Sequence, residues 1–413
     1  MAVINPFVCV RPRRDVAGRV AALPYDVYNR AEAKQEILRE PLSFLRIDRA
    51  ETNFGDEVDT YDPRVYEKAA ELLQDMIKHG IFEIDSEECY YVYELVMDGR
   101  SQTGLVACAS VDDYLNNVIK KHENTREDKE QDRIRHVDVC NAQTGPIFLA
   151  YRSKDEINRV IEGVKKEEPL YCFDSVDNIG HHVWRISDRE RIDVIKEAFL
   201  GISDIYIADG HHRAASAVKV ALKRRRENPG YSGRESFNYF LSVLFPHDQL
   251  KIMAYNRAVK DLNGLSGEEF MGRVKENFEV SVIGKTPYSP DEKGSFGMLL
   301  DGTWYKLKAK ESVRNTKDPV ESLDVSILQN YLLDPILGIK DPRVDKRIDF
   351  IGGIRGLKEL ERRTSLDMKV AFSMYPTSIT ELFAVSDAGK LMPPKSTWFE
   401  PKLRSGLFIH PLS

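Results

Sequence analysis

The chain of 413 residues has little of what marks an exported, membrane or nucleic-acid-binding protein. Its five cysteines, Cys9, Cys89, Cys108, Cys140 and Cys172, are odd in number, scattered, and form no CxxC pair. That excludes a disulfide framework and the usual zinc modules, and predicts a reducing compartment. No run approaches the roughly 20 apolar residues of a membrane span. The opening "MAVINPFVCVRPRRD" lacks the apolar length and charge order of a signal peptide, so the expected location is cytoplasmic. Charge of one sign is also lacking. With 60 basic against 66 acidic side chains the net charge is -6, so nucleic acid is not an expected partner, because such binding draws on phosphate neutralisation. No low-complexity linker or internal repeat divides the chain.

What is present is an ordinary globular composition, 42% hydrophobic and 31% charged, at a length that suits two domains. Helical and strand patterns alternate throughout. Asp62 and Pro63 open a helix with apolar positions Val65, Ala69, Leu72, Leu73, Met76 and Ile77, and Gly80 stops it. "YYVYELV", "MDGRSQ" and "TGLVACAS" predict an antiparallel hairpin. Ser187 with Glu190 predicts a capping box for a helix through Phe199, and Ser266 with Glu269 predicts another. "GMLLDGTWYKLKA" predicts a hairpin turning at Asp301-Gly302. Helices are expected near 323–333, 354–363 and 378–386, with "KVAFSMY" as a strand. The domains are expected to be 1–258 and 259–413, dividing within "NRAVKDLNG", and the architecture to be α+β with mixed sheets.

"IYIADGHHRAASA", residues 205–217, changes from a buried strand to a helix through an acid, a glycine, two histidines and an arginine. A strand entering a helix through glycine suits phosphate. The first helix amides lack intrahelical partners, the helix dipole is positive there, and Gly210 permits close approach. Arg213 adds a forked donor. Asp209 would repel phosphate unless it held Mg²⁺ or a second substrate. The plain alternative is an Asp cap beside two surface histidines.

Eleven of the sixteen residues from Lys120 to Arg135 are charged, which by itself describes a solvated helix or loop. His122, Glu123 and Thr125 nevertheless sit directly after apolar Val118-Ile119, and Glu123 is a candidate general base. Near the end, "LMPPKSTWFEPKLRSGLF" places Lys395, Lys402 and Arg404 around Trp398-Phe399, a segment suited to closing over an anion or to ordinary packing. "GGIRG" at 352–356 is a lone glycine pattern, and His181-His182 beside Trp184 has no third metal ligand at a recognisable spacing.

Four stretches in order, "ALPYDVYN", "KKHENTREDKEQDRIRH", "ADGHHRAASA" and "MPPKSTWFEPKLRSG", resemble the pattern of the bacterial and archaeal family called domain of unknown function 1015. "DGHHR" in turn resembles the phosphate-binding turn of the ParB/sulfiredoxin superfamily, and in its letters is similar to that of the free-serine kinases within it. No cysteine stands in the turn, which argues against sulfinic-acid repair. No helix-turn-helix accompanies it, which argues against a DNA-binding regulator.

The resemblance implies a ParB/sulfiredoxin-like N-terminal domain binding a nucleotide, ATP or ADP. It implies phosphoryl transfer to the hydroxyl of a free amino acid, L-serine first. Gly210, Arg213, His122 and Thr125 would hold phosphate or nucleotide. Glu123 would be the base, Asp209 would hold Mg²⁺ or the substrate amine, and His211 and His212 would donate to the moving phosphoryl group. Lys395 and Lys402 would come from a tail that returns to the site. The alternative is a nucleotide-binding switch resembling ParB, without turnover. A homodimer is left open.

Overall fold

A computed structural model describes all 413 residues, which divide into two compact units. The first comprises Met1–Leu250 together with Pro401–Ser413, and the second Lys251–Glu400. The division falls eight residues before the expected one, and the last thirteen residues belong to the first unit rather than to the second. The fold is α+β. None of its helices is long and apolar enough to cross a membrane.

The first unit is built on a nine-stranded mixed sheet. Its order is Ile119–Lys120, Ile205–Asp209, Ile147–Tyr151, Tyr239–Pro246, Arg100–Ser110, Tyr90–Met97, Gly180–Ile186 and Tyr171–Asp174, with Ile4–Asn5 added against Arg100–Ser110. Strand Ile205–Asp209 runs parallel to Ile119–Lys120 and antiparallel to Ile147–Tyr151, so the two motif-bearing segments are direct neighbours. The expected hairpin forms over Tyr90–Met97 and Arg100–Ser110, turning through Asp98 and Gly99, both at positive φ.

Two cores flank this framework. Ile157, Ile161, Ile195, Phe199, Ala214 and Val218 from three helices pack with sheet residues such as Leu105, Leu149 and Ile207. Val65, Ala69, Leu72, Leu73 and Met76 of helix Pro63–Lys78 pack with Phe44, Leu45 and Phe82 in the other. That helix starts as expected, with Asp62 accepting from the Arg64 amide. The helix Arg189–Leu200 corrects one expectation: its cap is Asp188, accepting from the Arg191 amide, and not Ser187. Both residue types cap, and a carboxylate gains more from the positive helix end.

The final segment is tied down along its length. Ser405 bridges Ala22, Ile409 bridges Val10, and His410–Pro411 pairs with Ala142–Gln143. Arg404 is buried and reaches the Asp177 carboxylate at 2.6 Å, and Phe408 packs on Tyr91 and Tyr93.

The second unit carries a six-stranded sheet, antiparallel at every pairing. Its order is Phe278–Gly284, Thr303–Ala309, Ser295–Leu300, Val370–Met374, Tyr255–Val259 and Ile348–Gly352. Trp304, Leu299, Ile351, Leu360 and Ala371 lie in its core. Ser266 with Glu269 forms the expected capping box, and the hairpin turns at Asp301-Gly302. The segment expected to be one helix near 323–333 is a short helix Asp324–Leu328 running into a π turn, Gln329–Leu333.

Candidate functional site

The strand Ile205–Asp209 is buried through Ala208 and emerges at Asp209, where its register against Ile147–Tyr151 shifts. Gly210 then adopts φ 93° and ψ 32°, and the helix His211–Glu227 begins with no side-chain cap. The left-handed conformation favours glycine here. The space above Gly210 is occupied as well: a Cβ there would lie 3.0 Å from Arg213 Nε. Arg213 thus folds back over the turn, and its Nη1 donates to the Pro146 carbonyl at 2.5 Å.

Asp209 uses both carboxylate oxygens. Oδ1 accepts from the Gly210 amide at 2.8 Å and Oδ2 from Lys402 Nζ at 3.1 Å. Burial alone would raise its pKa, but the positive charges of Lys402 and Arg213 outweigh burial and hold the carboxyl well below the usual range. Lys402 comes from the returning tail, 193 residues away in sequence.

His122 and His211 are buried, and their rings meet edge to face with centroids 4.5 Å apart. Burial pushes His122 down to about 4, against the pull of Asp209, and burial with the neighbouring His122 holds His211 well below its ordinary value. Both imidazoles are therefore neutral near pH 7. Glu123 stands beside them, its Oε2 3.9 Å from His211 Nδ1 and its side chain 44% exposed.

Two predicted residues are engaged in scaffolding. His212 Nε2 accepts from the Arg126 amide at 2.9 Å, and burial lowers its pKa. Thr125 donates to Glu130 at 2.7 Å. With Ser216 donating to the Glu130 carbonyl, these bonds fasten the charged segment onto the helix His211–Glu227. Lys395 lies in the second unit, where its ammonium sits over the Tyr255 ring at 5.6 Å and its carbonyl accepts from Arg257.

Sequence reasoning missed a second part of the site. Arg213 lines a small cavity together with Tyr25, Asp48, Arg133, His136 and Ser405, so all four motif stretches meet there. Arg133 stacks over Tyr25, 4.1 Å from its ring centre, and pairs with Asp132 at 2.8 Å. The signal was available: Glu130, Arg133, His136 and Cys140 recur at helical spacing and are all buried on the helix Glu127–Cys140. High local charge obscured it. His181 is also explained, stacked against Tyr93 and Phe173 within the sheet.

The family model described as a protein of unknown function (DUF1015) matches residues 4–326. No curated protein matches the chain. Among solved structures, a mutant free serine kinase in complex with AMP is similar at 14% identity and TM-score 0.36, over 73% of this chain and 92% of that one. SbnI with a C-terminal truncation, from Staphylococcus aureus, is similar at 11% identity and TM-score 0.38, over 73% and 85%. A conserved hypothetical protein from Pyrococcus furiosus is similar at 14% identity and TM-score 0.35, over 76% and 96%. Likeness at this level decides neither a reaction nor a site.

Proposed function

The chain belongs to the DUF1015 family, a membership that names no reaction, and from its site we propose a small-molecule phosphotransferase. In this reading a nucleotide, ATP or ADP, gives a phosphoryl group to the hydroxyl of a free amino acid, with L-serine the first acceptor to test. Phosphoryl transfer needs positioning and charge stabilisation more than covalent chemistry. One observation supports the reading: three distant segments meet at a glycine-opened helix N-terminus, where Glu123 lies beside His211 and Lys402 pairs with Asp209.

Each group has a part. The first amides of the helix and Arg213 hold the donor phosphates, with Lys402 adding positive charge. Glu123 takes the proton from the acceptor hydroxyl. Asp209 already accepts an ammonium group from Lys402, so the substrate amine is chemically suited to the same carboxylate. Mg²⁺ or the substrate amine would each have to displace Lys402 from Asp209, and the amine replaces an ammonium with its like.

The test incubates the pure protein with each donor, Mg²⁺ and a panel of hydroxy amino acids, and seeks phospho-products by mass spectrometry. A product dependent on Glu123 supports the reading. Tight nucleotide binding with no product from any acceptor would favour the ParB-like switch.

A further inference from the structure

His122 and His211 raise a problem that phosphate binding does not solve. They are 2% and 5% exposed, and His122 Nδ1 and His211 Nε2 have no hydrogen-bond partner. Leaving a buried polar atom unpaired is costly, and here two such rings touch. A neutral imidazole whose buried ring nitrogen has no partner can offer that nitrogen's lone pair to a metal ion.

Glu123 completes a set of donors. One ligand atom from each of His122, Glu123 and His211 lies within 4.8 Å of the others. Ligand atoms about 2.0–2.2 Å from a tetrahedral ion stand about 3.4 Å apart. The widest of these separations would therefore have to contract by up to roughly 1.4 Å on metal binding. Two neutral imidazoles and one carboxylate suit zinc-like ions, whereas Mg²⁺ and Ca²⁺ prefer oxygen alone.

We propose that His122, Glu123 and His211 form a binding site for one borderline divalent transition-metal ion, Zn²⁺ being the model, with a fourth position open to water or ligand. The site stands independently of the phosphotransfer reading. Its consequence for turnover rests on that reading: the ion engages Glu123, so metal binding and base catalysis exclude one another, and Zn²⁺ inhibits transfer.

The untagged full chain, stripped by chelator, is titrated with Zn²⁺ by calorimetry and with Co²⁺ by visible absorption. One ion per chain is expected, with the spectrum of a tetrahedral centre and no displacement by excess Mg²⁺. Affinity should fall at least about tenfold in His211→Ala and in Glu123→Gln. Glu123→Gln alters a half-exposed side chain, so it decides the matter where His211→Ala fails to fold. No Zn²⁺ binding, or unchanged affinity in Glu123→Gln, overturns the site. Phospho-product from stripped protein that binds no Zn²⁺ overturns this inference alone. Specific Zn²⁺ binding without product from any donor supports it and retires the phosphotransfer reading.

Discussion

Each unit contains a strand that passes through glycine into an uncapped helix, and the two junctions differ in everything but that. In the first unit Ile205–Asp209 leads through Gly210 into His211–Glu227. In the second, Ile348–Gly352 leads through Gly353 and a short turn to Gly356, at φ 69°, and the helix Gly356–Leu366. A Cβ on Gly352 would lie 2.8 Å from the Trp398 ring, and one on Gly353 would lie 2.8 Å from the Ala254 carbonyl. Those glycines exist so that protein can pack against protein. At Gly210 the neighbours are instead Arg213, the buried histidines and a carboxylate–ammonium pair. A glycine turn before a helix becomes a candidate site only when distant segments bring chemistry to it.

The sharpest way to break this contrast is to remove one carboxylate near each junction. Glu123→Gln should lower turnover at least about 100-fold with donor binding within a few-fold, as for loss of a general base. Glu359→Gln, in the first turn of the second helix and paired with Arg362, should leave turnover unchanged. Steady-state kinetics checks both, and equal turnover in the two variants would remove Glu123 from the reaction.

A smaller effect is expected at Arg213. Its truncation to Ala should cost about 1.5–3 kcal/mol of donor binding by calorimetry, the range for a charge-assisted bond. Unchanged affinity would assign Arg213 to the Pro146 carbonyl alone.

Gly352→Ala tests the other junction. Crowding the Trp398 ring should cost about 1–3 kcal/mol of stability, read as a lower Tm, while donor affinity stays constant. A variant that melts like the wild type would show that Trp398 moves aside cheaply.

The least effect concerns two carboxylates that the units treat oppositely. Asp209 is held low by Lys402, whereas burial pushes Asp324 up to about 7, against the pull of the Gly294 amide and Lys293. A carboxyl raised by folding stabilises most below its unfolded pKa of about 3.9, and that contribution is lost as pH rises through the folded value. The second unit should therefore melt higher at pH 5 than at pH 8. Asp324→Asn should reduce that difference, and thermal melts of both proteins across that range would show it.

Much of the fold is legible in the sequence, but the site only in part. Asp62-Pro63, the Asp98-Gly99 turn and the Ser266–Glu269 box act within a few residues, so their consequences follow from local geometry. Glu123 and the DGHHR turn were visible as unusual polar groups next to apolar strands. Arg133 was passed over, because in a run where most residues are charged its helical spacing with Glu130, His136 and Cys140 does not stand out. Thr125 and His212 look like ligand groups in sequence; Thr125 bonds to Glu130 within its own segment, whereas the bond of His212 to the Arg126 amide forms only once the two segments meet.

By itself, the sequence determined the alternation of helices and strands, the positions of the tight turns and the family to which the chain belongs. All of these depend on the 3.6- and 2-residue periods, on capping, or on motifs read in order. Tertiary structure alone decided that Lys402 pairs with Asp209, that Lys395 lies over Tyr255, and that His122 and His211 share a buried space with Glu123. The physical reason is the range of the forces involved. A turn or cap is settled by the energies of neighbouring residues. The partner of a buried charge is settled by which remote segment the packing of the core brings within hydrogen-bond reach.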